Sequence, residues 1–184
     1  EIVKQQTITP THLEKGQKYT EYRAMIDQLL SEEKTTGDNH SEAMIHYTKM
    51  NVQRMKRLDK TVKLTEETLA NVAKIERPQT WVVITEGWWG DAAQIVPVLE
   101  KIADSSEHID LKLILRDENP EVMDAYLTDG ARSIPKLIAL DSETLEEIGT
   151  WGPRPAPAHE MVMEYKETKA TTGESYLDFA TRLH

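Results

Sequence analysis

The sequence contains no cysteine in its 184 residues. That excludes a disulfide framework, a thiolate zinc site and a redox-sensing thiol. It also removes the nucleophile of thiol–disulfide exchange, for which no other side chain substitutes. Phenylalanine occurs once, yet hydrophobic residues still make up 39%, enough for a core. No apolar run approaches the ~18 residues of a membrane-spanning helix, and no signal-peptide apolar region is present. Basic residues are outnumbered 22 to 32, a net charge of −10. A chain so balanced is expected to repel nucleic acid and anionic lipid, and a cytoplasmic location is the default expectation. The first residue is Glu1 rather than Met, so an earlier, removed leader stays open. The histidines at positions 12, 40, 46, 108, 159 and 184 show no metal-binding spacing; His40 and His46, six apart, do not share a helix face. No metal and no cofactor are expected. The oligomeric state is not encoded in any pattern found.

The first 76 residues read as helical. Leu13, Tyr22, Met25, Ile26, Leu29 and Leu30 mark one apolar face from about Thr11 to Ser31. Ser41 is a good N-cap for a second helix reaching about Leu58. A third starts at Thr65, with Leu64 and Leu69 placed to form a hydrophobic staple, and ends before Pro78. From Pro78 strand and helix alternate. Trp81–Thr85 is β-branched and almost wholly apolar, as a strand buried on both faces should be. Asp91 can cap the next helix, Ala92 to Ser105, with Gln94 at the capping-box position and Pro97 expected to kink it. Then follow a strand Ile109–Leu115, a helix from Asn119-Pro120 to Gly130, and a hairpin of strands Lys136–Asp141 and Leu145–Trp151. Helices of about Ala158–Thr168 and Glu174–Leu183 close the chain. Parallel βαβ strands beside an antiparallel hairpin imply a mixed sheet.

Three segments stand in order along this pattern: Trp88-Trp89-Gly90-Asp91-Ala92, Ser133-Ile134-Pro135-Lys136-Leu137-Ile138, and Thr150-Trp151-Gly152-Pro153-Arg154-Pro155. With the element order, they resemble the thioredoxin family. The resemblance is narrower to bacterial members whose loop reads Trp-Cys-Gly-Asp-Ala, and it spans roughly residues 78 to 169. It implies an α/β thioredoxin fold, with a mixed central sheet built as βαβ then ββα. Residues 1–77 would be a helical extension packed on the domain of residues 78–184. It puts Trp89 at the nucleophilic cysteine's place, Ala92 at the resolving cysteine's and Pro135 at the cis-proline. A cis-proline presents its neighbour's backbone to an extended substrate peptide. The groove residues implied are Trp88, Trp89, Gly90, Asp91, Ile134 and Pro135.

The departure at residue 89 decides what function is expected. Indole is a weak nucleophile and far larger than cysteine, so Trp89 should cover the groove beside Pro135 or offer an aromatic surface. Three origins fit: a redox-inactive member kept for binding, a descendant with an unrelated task, or a cysteine replaced in this chain. The leading expectation is a redox-inactive protein that at most binds a peptide or protein in that groove. The alternative is a thiol-disulfide oxidoreductase family member whose active-site cysteine is replaced at Trp89.

Other candidates have structural readings beside their functional ones. Trp88 can anchor a partner or pack on the sheet edge. Asp91 can be a buried acid or a plain N-cap. Arg132 can hold a carboxylate or phosphate, but a surface arginine is the commoner case. Arg154 can stack on Trp151 to support its proline-rich loop. The run Lys49, Arg54, Lys56, Arg57, Lys60 and Lys63 contains only Asp59 as an acid. It reads as a solvated helix face, or as a contact carried by a scaffold protein. Gly87-Trp88-Trp89-Gly90 opens a helix but lacks the remaining residues of a dinucleotide fingerprint or a P-loop.

Overall fold

The computed structural model describes residues 6–183. Its centre is one four-stranded sheet of β1 (Gln79–Thr85), β2 (Ile109–Leu115), β3 (Lys136–Asp141) and β4 (Glu147–Trp151), in the order β2-β1-β3-β4. β1 and β2 run parallel, whereas β1 with β3 and β3 with β4 run antiparallel, so the sheet is mixed. The parallel pair is joined through helix α5 (Gly90–Asp104), because a hairpin turn cannot link parallel strands. The antiparallel pair is joined by a turn in which Asp141 Oδ1 accepts the amides of Glu143 and Thr144 at 2.9 and 3.0 Å.

The two-residue period of β1 divides the core. Val83 faces a cluster with Tyr22, Ile26, Val52, Met55, Val96 and Leu113, supplied largely by α2 (Tyr19–Ser31), α3 (Glu42–Thr61) and α5. Val82 and Ile84 face the other cluster, with Ile8, Val122, Met123, Ile134 and Ile138, which α6 (Pro120–Ala125) helps to close. Helices from the first third of the chain therefore share one core with the sheet. Pro97 lies buried inside α5.

Several sequence expectations shift. The helix expected over residues 11–31 is two, α1 (Pro10–Lys15) and α2, broken at Gly16-Gln17-Lys18. Gln17 exchanges two 2.8 Å backbone hydrogen bonds with Leu113 on the free edge of β2, and an edge strand's unpaired groups attract such a partner. Helix α4 (Glu66–Val72) has its Thr65 cap and ends before Pro78 as expected, while Leu69, expected in a staple with Leu64, is 44% exposed. Helix α6 ends at Ala125, not Gly130, because Asp129 (φ 51°) and Gly130 (φ 74°) form a tight turn bridged by Thr128 and Ala131. β4 begins at Glu147 because Leu145 sits at φ 58° in the hairpin turn. Helix α7 (Ala156–Thr172) is longer than expected and stops at left-handed Gly173, and α8 (Tyr176–Leu183) follows. Among the described residues no helix is long and apolar enough to cross a membrane. His184 lies outside the described residues.

Candidate functional site

β1 leaves the sheet at Thr85, and Glu86-Gly87-Trp88-Trp89 turns the chain into α5. Trp89 is the N-cap residue, with φ −92° and ψ 121°. Its amide reaches the Glu86 carbonyl at 3.3 Å, and its own carbonyl accepts from the Ala93 amide at 3.2 Å. Asp91 is thus not the cap, and the Asp91–Gln94 capping box does not form. Trp89 supplies no capping oxygen, so the partial positive charge of the helix start is left uncancelled by a cap.

Residues far upstream hold the turn. The Gly87 amide donates to Thr36 Oγ1 at 2.9 Å, and the Gly87 carbonyl accepts from Asn51 Nδ2 at 3.0 Å. Asn51 Oδ1 in turn accepts from Arg54 Nη1 at 3.0 Å. One residue before Glu86, the Thr85 hydroxyl meets Tyr22 Oη at 3.1 Å. Both faces of the Gly87 peptide are therefore satisfied inside the protein, as buried backbone requires.

The indoles of Trp88 and Trp89 lie 5.4 Å apart at 53°. The Arg116 guanidinium sits 5.0 Å from the first ring and 5.2 Å from the second. Its Nε donates to Asp117 Oδ1 at 2.8 Å and its Nη1 to the Arg132 carbonyl at 3.3 Å. A cation so placed adds about 0.5–2 kcal/mol per ring, depending on desolvation. Trp89 is partly buried and packs against both core clusters, including the one that holds Ile134. Ile134 and Pro135 are both buried, and the bond between them is cis. Among the described residues, neither the N–H nor the C=O of Ile134 is hydrogen bonded. The Gly152–Pro153 bond is also cis. Gly152 has φ +120°, and a Cβ there would overlap the Pro135 carbonyl oxygen, so the two proline segments lie back to back.

Arg154 does not stack on Trp151. Its Nη2 and Nε donate to Asp91 Oδ2 at 2.6 and 3.2 Å, with side chains only 11% and 12% exposed. This largely covered pair ties the first turn of α5 to the loop between β4 and α7. Trp151, 37% exposed, ends β4 opposite Leu137. Arg132 is a surface residue paired through two nitrogens with Asp124, at 2.7 and 2.8 Å. The structure so gathers Trp88, Trp89, Gly90 and Asp91 in one turn, joins Asp91 to Arg154, and sets Trp89 in the core cluster of Ile134. Arg132 and Trp151 stand at the margin.

Sequence reasoning passed over Glu86. It is 1% exposed; Oε1 accepts the Asp117 amide at 3.0 Å, and Oε2 has no hydrogen-bond partner among the described residues. Burial pushes its carboxyl above the usual glutamate range, against the opposing pull of the Thr36 hydroxyl and the Asp117 amide. The available signal was an acid closing an apolar strand just before a glycine. Thr36 and Asn51 carry no local signal. Among the described residues no group of three or more His, Asp or Glu converges as a metal site would require. The arrangement offers aromatic faces, two held guanidinium groups, Arg116 and Arg154, and a covered backbone segment.

A thioredoxin family model matches residues 37–169. A protein of unknown function from Pseudomonas aeruginosa superposes with a TM-score of 0.57 at 17% identity, over 93% of this chain and 92% of that one. An HIV epitope scaffold superposes with a TM-score of 0.52 at 16% identity, over 91% and 88%. At these identities the likeness is one of fold. No curated protein matches the sequence.

Proposed function

The chain belongs to the thioredoxin family, and from that premise we propose that it is a redox-inactive binding module for an extended peptide or protein segment beside Pro135. One observation carries this reading: the backbone of Ile134 has unused hydrogen-bonding groups and lies buried in the core cluster on which Trp89 packs. A bound segment displaces the Trp89 ring and pairs with that backbone, with Trp88 and Arg116 at the rim. The helical segment before Pro78 braces the turn through Thr36 and Asn51.

Chemical-shift mapping with a library of extended peptides tests the reading. Perturbations should centre on Trp88, Trp89 and Ile134, and Trp89→Ala should bind more tightly because no ring has to move. Perturbations that never reach these residues would reject the groove.

A second reading has its own support. Residue 89 stands at an uncapped helix start with Arg116 beside it, surroundings that stabilise a thiolate. On the oxidoreductase reading, Trp89→Cys gives a thiol titrating well below the ~8.5 of free cysteine, as read from the pH dependence of its alkylation rate. A thiol titrating like free cysteine rejects that reading.

A further inference from the structure

Helix α3 has an inner side that supports the site and an outer side with no function so far. Its inner side holds Thr48, Asn51, Val52 and Met55, all buried. Its outer side presents Lys49, Gln53, Lys56, Arg57 and Lys60, all exposed, and Lys63 continues the line just beyond the helix. Lys49 to Lys60 is eleven residues, roughly 16 Å at 1.5 Å per residue.

Three observations separate this stripe from an ordinary solvated face. First, the unpaired cations are concentrated here. Several exposed or half-exposed cations elsewhere have acids beside them, such as Lys34 with Glu32, Arg132 with Asp124 and Arg182 with Glu174, while Lys166 and Lys169 on α7 stand without an ion pair among the described residues. Among the described residues none of Lys49, Lys56, Arg57, Lys60 or Lys63 has an ion-pair partner. Second, Asp59, the one acid inside the run, is occupied by the Tyr19 hydroxyl at 2.8 Å. Third, Lys56 and Lys60 are like charges at i and i+4, an arrangement that weakens the helix rather than supporting it. Residues 42–63 hold six cations and two acids, which leaves 16 cations and 30 acids for the rest of the chain. The concentration of positive charge is local and against the balance of the whole molecule.

We propose that the outer face of α3 docks a short acidic segment of another protein. The length of the stripe selects the partner. A long polyanion such as nucleic acid would run past the stripe onto exposed Glu42 at the helix start and onto a molecule whose residues outside 42–63 carry 30 acids against 16 cations. It would be repelled there, since charges beyond ~10 Å are screened but nearer ones are not. A segment with three or four carboxylates along one helical face ends where the stripe ends. Met50, 38% exposed, borders the stripe at its N-terminal end and gives such a segment an apolar anchor. This surface is independent of the groove beside Pro135.

The test is fluorescence anisotropy of the full chain with a labelled alanine-based helical peptide carrying glutamate at every fourth position. Its glutamine counterpart and an oligothymidylate of equal charge are the controls. The glutamate peptide should bind at low salt and weaken about tenfold or more between 50 and 300 mM salt. The K49E/K56E/K60E variant should lose it, and the milder K49Q/K56Q/K60Q variant should weaken it while keeping the wild-type melting temperature. No binding, equal binding by the glutamine peptide, tighter binding by the oligothymidylate, or no effect of either variant would overturn the proposal. So would a salt-sensitive dimer of the chain alone, which would give the stripe to a second copy.

Discussion

The Glu86 carboxyl lies where water does not reach, with one oxygen on the Asp117 amide and the other without a partner. Burial raises its pKa, so the folded state holds the proton more tightly than the unfolded chain. Its contribution is then most favourable at low pH, and is lost as pH rises above the ordinary glutamate value of 4.5. Glu86→Gln has no proton to lose. The fall in melting temperature between pH 5 and 8 should be smaller in that variant than in the wild type; equal slopes would mean that the carboxyl is not desolvated. Gly152 makes a steric prediction at the same scale. Its φ of +120° disfavours any side chain, and a Cβ would overlap the Pro135 carbonyl. Gly152→Ala should cost about 2–3 kcal/mol in urea unfolding.

Between elements, the Asp91–Arg154 pair joins the start of α5 to the β4–α7 loop. Removing one partner leaves the other charge largely buried, and at about a tenth exposure the cost belongs near the lower end of the 3–5 kcal/mol range. Arg154→Ala should therefore lose about 3 kcal/mol, and the Asp91→Ala/Arg154→Ala double variant should lose less than the sum of the singles in a double-mutant cycle. A strictly additive pair would show that the contact carries little. This contact also marks what a sequence hides. Asp91 has the residue type of an N-cap, but the cap is Trp89, two residues earlier, and a guanidinium 63 residues away claims the carboxylate. β2 and β3 were legible because their apolar runs are bounded by polar turns, and the observed limits match. The break between α1 and α2 was not, because it is set by the free edge of β2 rather than by the residues around Gly16. Arg116 was likewise invisible, since it acts on two rings that only the fold brings to it.

At the scale of the molecule, the alternation after Pro78 announced the mixed sheet, and the three motif segments pointed to its family. Which helices cover which face could not be read, because the amphipathic pattern gives a buried side without naming its partner. The C-terminal helix lies beyond the matched residues 37–169. It is held by Phe179, 1% exposed and stacked on Tyr165 at 4.2 Å and 9°. Phe179→Ala should release α8, so that limited proteolysis cuts near Gly173 while the melting of the sheet changes little. Loss of the whole fold would show instead that α8 is part of the central cooperative unit.

The Gly87 peptide has a last consequence. A chain shortened to begin at Pro78 would keep every strand and all three motif segments, yet lose the hydroxyl and the carboxamide that grip this peptide from either side. Grafting Trp-Trp-Gly-Asp onto another scaffold would transfer the letters without the two hands that fold them.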